Sequence, residues 1–151
     1  MTSLTLVRRI AARPSIVFEA LTTADGIAAW WGPDDLPAAD AEIDPRVGGA
    51  FRVHFRTQDG GDHEARGEIL EIDAPDRLVM TWFWAFGGEP AEHGRISQIA
   101  FDLRPVPEGV EITFTHSGLA NAESAASHEY GWTGAFNKLD RIFGNDAGRE
   151  P

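Results

Sequence analysis

Hydrophobic positions along this chain change period twice. Leu4, Leu6 and Ile10 alternate with Thr5 and Arg9, so Ser3 to Ala11 reads as a strand. Pro14 then opens a short helix, at a position where its missing N–H costs nothing. Ile16, Val17, Phe18, Ala20 and Leu21 give that helix an apolar side. Thr23-Ala24-Asp25-Gly26 breaks it, and a second short helix runs to Trp30-Trp31. Gly32-Pro33 ends the second helix, because the residue before proline avoids the α region. From Ala38 to Gly118 the period is two. Phe51, Val53 and Phe55 alternate with Arg52, His54 and Arg56, as in a half-buried strand. Glu64 to Ile72 follows the turn Asp59-Gly60-Gly61-Asp62. Arg77 to Trp84 puts Leu78, Met80, Trp82 and Trp84 on one face, with Val79, Thr81 and Phe83 on the other. Arg95 to Arg104 aligns Ile99, Phe101 and Leu103. After the turn Pro105 to Gly109, Val110 to His116 aligns Val110, Ile112, Phe114 and His116. Consecutive strands joined by turn chemistry of this kind predict an antiparallel meander.

The period then becomes helical again. Glu123 to Phe143 carries the stripe His128, Trp132, Ala135 or Phe136, Leu139, Ile142 and Phe143. Asn121 or Ser124 can cap its start, and Gly144 suits its end. Gly131 and Gly134 flank Trp132 and cost about 1 kcal/mol each relative to alanine. Close approach of another backbone, or of a ligand, would justify that cost. The order β-α-α-β6-α describes one α+β domain over residues 1–144, with a polar tail, 145–151, expected to fray. A curved sheet over one long helix surrounds a concave space, and wherever side chains do not fill it a cavity results.

Composition narrows the chemistry. The 151 residues suit one core. There is no cysteine, which removes thiol nucleophiles, zinc ribbons and iron–sulfur clusters. Thirteen basic against 24 acidic residues give a net charge of −11, which repels phosphate backbones and anionic lipid, so neither nucleic acid nor a membrane surface is expected as a partner. No apolar run is long enough to span a bilayer. The N-terminal residues lack the apolar core of a secretion signal, so the chain reads as cytoplasmic. Lys138 is the sole lysine. Five Trp and nine Phe stand beside one Tyr, an aromatic set of unusually apolar character.

Several strings, in order, resemble one family. Arg13-Pro14-Ser15-Ile16-Val17-Phe18-Glu19-Ala20-Leu21-Thr22 is similar to the segment after the first strand of the SRPBCC superfamily, which holds the START-like and birch-pollen-allergen-like proteins. Ala29-Trp30-Trp31-Gly32-Pro33 resembles the tryptophan motif that follows there, and Val47-Gly48-Gly49-Ala50-Phe51 its glycine-led strand start. Gly67-Glu68-Ile69-Leu70-Glu71-Ile72, with Pro75, Arg77-Leu78-Val79 and Thr81-Trp82, resembles its central hairpin. His116-Ser117-Gly118-Leu119 and Gly131-Trp132 with Leu139 resemble its closing signature. The combination points to the branch named after homologues of the activator of heat-shock-protein-90 ATPase. The resemblance implies a helix-grip fold with a hydrophobic cavity that takes lipids, sterols, polyketides or other apolar molecules. It also implies a few cyclases and hydrolases, and for the branch a stress-response contact with a chaperone. The co-chaperone's separate N-terminal domain has no counterpart here, so that contact carries over poorly.

The expected cavity lining is Phe51, Val53, Phe55, Trp82, Trp84, Phe101, Phe114, His116, His128, Trp132 and Phe136, with Trp30 and Trp31 at the rim. Each of these aromatics can equally be core, and His116 and His128 can be hydrogen-bonded core histidines. Alternatively, either histidine is the acid–base group of an enzyme acting in the same cavity, although no nucleophile or oriented dyad is evident. His54, His63 and His93 read as solvated, and no histidine pair has metal spacing. Gly48-Gly49 precedes a strand and reads as a bend, not a phosphate loop. Asp34-Asp35 reads as solvated, and the Gly32 to Pro37 loop as a candidate lid. No cofactor and no metal are expected, and a homodimer stays open. A protein-interaction role would instead need an exposed apolar patch on the outer face, with Val79 and Phe83 as the residues to inspect.

Overall fold

The structure is a computed structural model and describes residues 2–32, 40–57 and 59–149. Its elements are β1 (Thr2–Ile10), α1 (Pro14–Thr22), α2 (Ala24–Trp30), β2 (Asp40–Ile43), β3 (Ala50–Arg56), β4 (Asp62–Asp73), β5 (Arg77–Phe86), a single 3-10 turn at Pro90–Glu92, β6 (Ser97–Val106), β7 (Gly109–Leu119) and α3 (Ala122–Arg149). The seven strands form one antiparallel sheet in the order β1-β7-β6-β5-β4-β3-β2. This is the β-α-α-β6-α order that the period changes predict and the α+β helix-grip fold that the resemblance implies. From residue 33 onward the proposed lid, with Asp34 and Asp35, lies outside the described residues.

Local chemistry places each element. Pro14 stands at the first position of α1, and Thr23 starts α2 by accepting from the Gly26 N–H at 3.1 Å. Gly48, at φ +83°, and Gly49 make the β2–β3 bend; a Cβ on Gly49 would lie 2.0 Å from the Asp44 carbonyl oxygen. Of the two candidate caps for α3, Asn121 is the one used, its Oδ1 accepting from the Ser124 N–H at 2.8 Å. The helix does not stop at Gly144 but continues to Arg149. One glycine costs about 1 kcal/mol in a helix and does not end one unaided.

The start of α3 is also tied down by a buried carboxylate. Glu92, on the 3-10 turn, accepts from the Ala120 N–H at 2.7 Å and from the Ser124 hydroxyl. This fixes the β5–β6 connection against the first turn of the helix, next to the cavity described below.

The two faces of the sheet divide the chemistry. The concave face is apolar and packs against α1, α2 and α3. The convex face carries ion pairs: Arg52 reaches Asp40, Glu42 and Glu64, Arg66 reaches Glu64, and Arg77 reaches Glu71 and Asp102. Burial pushes the Glu64 carboxyl up, but hydrogen bonds from Arg66 and Arg52 outweigh it and hold the group below its ordinary range. Val79 is buried and Phe83 half-buried on this face, so these two do not form the exposed patch that an interaction surface would need.

Candidate functional site: an aromatic cavity under strands three to five

A cavity of about 510 Å3 lies between β3, β4 and β5 on one side and the first half of α3 on the other. That volume falls in the range of small-molecule sites. Its wall is aromatic: Trp31, Phe55, Trp82, Trp84 and Trp132. Alternation on β3 and β5 brings Phe55, Trp82 and Trp84 to the concave face, as the sequence pattern requires. Trp31 arrives from the end of α2, and Trp132 from α3. The three indoles of Trp31, Trp82 and Trp132 meet at centroid distances of 5.2 to 5.6 Å.

The helix explains why this volume stays open. Ser127, Gly131 and Ala135, spaced four apart, form a ridge of small residues along the cavity. The adjacent ridge, His128, Trp132 and Phe136, is large and buried. Gly131 therefore exposes backbone to the cavity.

Of the eleven expected lining residues, Phe55, Trp82, Trp84, His128 and Trp132 are on the wall. Phe51, Val53, Phe101, Phe114, His116 and Phe136 are buried but not on it. They close-pack instead: Phe101, Phe114 and Phe136 join Trp30 at centroid distances of 5.0 to 6.4 Å. Trp30, expected at the rim, is fully buried there and donates its indole N–H to the Ala20 carbonyl at 3.0 Å. Trp31 does line the cavity, but as buried wall.

The two core-side histidines are hydrogen-bonded on both ring nitrogens. Trp132 donates its indole N–H to His116 Nδ1 at 3.1 Å, which puts the His116 proton on Nε2. That Nε2–H donates to Ser97 Oγ at 2.8 Å, and the Ser97 hydroxyl donates to the Trp82 carbonyl at 3.2 Å. Burial, with the neighbouring His128 as the smaller influence, pushes the His116 imidazole well below its ordinary range, so it is neutral. His128 is arranged the other way round. Its Nδ1–H donates to the Ser124 carbonyl at 2.8 Å, and its Nε2 accepts from the Trp84 indole at 3.3 Å. Each histidine thus orients one tryptophan and keeps no ring nitrogen for a guest.

His63 was expected to be solvated and is instead a wall residue. Its Nδ1 accepts from the Gly88 N–H at 2.8 Å, and its ring stacks on Phe55 at 5.4 Å. The signal for it is phase: β4 begins at Asp62, and His63 is in step with Ala65, Gly67 and Ile69, which are buried. Taking 59–62 as the whole turn and starting the strand at Glu64 hides that phase. His54 and His93 do lie away from the cavity, bonded to Asp62 and to the Gly87 carbonyl. Gly88 allows the wall to close. It sits at φ +73°, and a Cβ there would fall 2.2 Å from the Trp84 ring.

The mouth is polar and anionic. Thr57, Asp59, Glu89, Ser127 and Tyr130 border it. Hydrogen bonds from the Thr57 hydroxyl and the Gly61 N–H hold the Asp59 carboxyl below its ordinary range. Lys138 is buried behind the wall and donates to the Trp31 carbonyl at 3.0 Å, closing the end of α2. Among the described residues no group of three or more His, Asp or Glu side chains could hold a metal ion, and no helix is long and apolar enough to cross a membrane.

No curated protein matches the sequence. Solved structures share its fold. A protein of Mesorhizobium loti is 24% identical, covers 93% of this chain and 96% of its own, and superposes with a TM-score of 0.74. The AHSA1 protein of Silicibacter pomeroyi is 21% identical over 93% of this chain and 96% of its own, at a TM-score of 0.74. The AHSA1-like protein of Aeromonas hydrophila is 21% identical over 99% of this chain and 96% of its own, at 0.75. The sequence model of the family described as activator of Hsp90 ATPase homolog 1-like protein matches residues 11–144, nearly the whole domain. The motifs, the strand order and this match agree: the chain belongs to the activator of Hsp90 ATPase homolog 1-like family, within the SRPBCC superfamily.

Proposed function

We propose that this protein binds one small apolar molecule, of aromatic or polyketide-like size, in the cavity between β3–β5 and α3. One observation carries the reading: Trp31, Phe55, Trp82 and Trp84 face an α3 surface of Ser127, Gly131, Trp132 and Ala135, leaving about 510 Å3 unfilled. A chain that merely needed a core would place larger residues at Ser127, Gly131 and Ala135, because close packing stabilises it. A guest that hides about 250 Å2 of apolar surface gains roughly 6 kcal/mol from leaving water. Part of that offsets the entropy cost of association. The anionic mouth and the absence of Arg or Lys among the described wall residues favour a neutral guest over a fatty-acid anion.

Binding without chemistry is the reading the histidines support, since both are engaged on both ring nitrogens. The test is a fluorescence titration with the neutral probe N-phenyl-1-naphthylamine. One saturable site per chain is expected, with affinity reduced about tenfold in Trp132→Ala, a loss of about 1.4 kcal/mol. Unchanged affinity and stoichiometry in a folded Trp132→Ala variant would overturn the assignment.

A further inference from the structure

Resting on that binding reading, we propose that the guest carries a neutral carbonyl-type oxygen, which it presents to the indole N–H groups of Trp31 and Trp82. Among the described residues, only two buried side-chain polar atoms lack a hydrogen-bond partner: Trp31 Nε1 and Trp82 Nε1. Both residues are on the cavity wall, 1% and 5% exposed, with ring centroids 5.6 Å apart. The other three tryptophans are each given an acceptor by the protein: the Ala20 carbonyl for Trp30, His128 for Trp84 and His116 for Trp132.

The division follows position. A buried donor left unpaired carries a desolvation penalty, and native folds rarely leave one in place. Both indoles make edge-on ring contacts, Trp31 with Trp132 and Trp82 with Trp84, and an N–H over a ring face recovers only a fraction of a hydrogen bond. Trp30 and Trp132 also have edge-on contacts and still receive a full acceptor, so ring contacts do not explain the difference. The unpaired pair shares a wall with free volume beside it. Neither nitrogen is itself exposed to that volume, so a guest oxygen meets the pair only after an indole turns toward it.

The chemistry required of the guest is an acceptor. Neighbouring His116 and His128 have no free ring nitrogen, and the wall's carboxylates, Asp59 and Glu89, belong to the mouth. The pair of indoles therefore offers donors for which neither histidine supplies an acceptor. A ketone, quinone, ester or lactone oxygen satisfies it, whereas a hydrocarbon leaves both N–H groups unpaired. A carboxylate would meet no basic side chain among the described wall residues.

A matched pair of probes tests this. 2-Acetylnaphthalene and 2-isopropenylnaphthalene have the same shape and differ in C=O against C=CH2. In calorimetric titration the ketone is expected to bind about tenfold tighter to the unmodified protein. Its advantage should shrink to twofold or less in Trp82→Phe and in Trp31→Phe, the hydrocarbon serving as the control for lost ring area. Equal affinities in the unmodified protein, or a ketone advantage that survives both variants, would overturn the inference and leave the cavity reading standing. Failure of both probes to bind would overturn the cavity reading itself. If a variant does not fold, the infrared carbonyl stretch of the bound ketone decides. A hydrogen-bonded position, as in methanol, supports the inference, and a free position, as in hexane, overturns it.

Discussion

The same sheet and the same helix enclose two regions with opposite outcomes. Beneath β6 and β7, Phe101, Phe114 and Phe136 meet Trp30, and α1 lies over those strands. All four of these side chains are fully buried. Beneath β3, β4 and β5, the aromatic density is just as high, yet a cavity remains. The difference lies in what α3 contributes along its length. Where it faces the closed region it offers Phe136 and Leu139; where it faces the open one it offers Ser127, Gly131 and Ala135. Aromatic content on a sheet face does not separate core from binding site. The size of the residues opposite does.

The Trp–His pairs repeat the contrast at atomic scale. Trp132 and His116 are locked into a chain that ends on a backbone carbonyl, entirely inside protein. Trp84 and His128 form a similar pair, but with both partners on the cavity wall. The first pair holds the boundary between the regions. The second shapes the surface that a guest meets.

The contrast can be broken from either side, starting with the largest effect. Phe136→Ala empties the closed region and should lower stability by about 3–5 kcal/mol in urea denaturation. The folded fraction should still bind the naphthylamine probe, because Phe136 is not on the cavity wall. Gly88→Ala attacks the open region, forcing a Cβ into the Trp84 ring at an unfavourable φ. It should cost roughly 2 kcal/mol and weaken probe binding several-fold, with the Trp84 displacement visible in the near-ultraviolet circular dichroism. A smaller effect belongs to the boundary. His116 has its folded pKa depressed, so the unfolded chain takes up the proton first as pH falls below about 6.5. Stability contributed by the neutral ring is present above that pH and lost below it, at up to about 1.4 kcal/mol per pH unit. His116→Gln should flatten the slope between pH 6.5 and 5 in denaturation series; an unaltered slope would contradict the neutral, buried assignment.

Much of the architecture was legible in the sequence because period is a local property. The switch from two to 3.6, with Pro14, Gly32 and Asn121 as punctuation, marks the strands, the short helices and the start of α3. The family strings agree with that order. The site was only half legible. Phe55, Trp82, Trp84, His128 and Trp132 follow from face and phase, but Phe51 and Val53 share the phase of Phe55 and are core. Which inward residue meets empty space depends on what crosses above it, and that is a tertiary fact. His63 escapes a reading that starts β4 at Glu64, two residues after its actual start at Asp62, behind a glycine-rich turn. Gly131 was the most informative local signal, because it lies on the cavity wall, whereas Gly134, with the same helix cost, does not.

Gly131 also supplies the most direct test. Gly131→Leu adds a side chain on the cavity ridge and removes a helix-weakening residue. Stability and probe affinity are to be measured together on this one variant, by denaturation and by titration of N-phenyl-1-naphthylamine. If the open region is a binding cavity, stability stays level or rises by up to about 1 kcal/mol while probe affinity falls at least tenfold. If it is filled core, the leucine overpacks it: stability drops by about 1–3 kcal/mol and probe binding does not change.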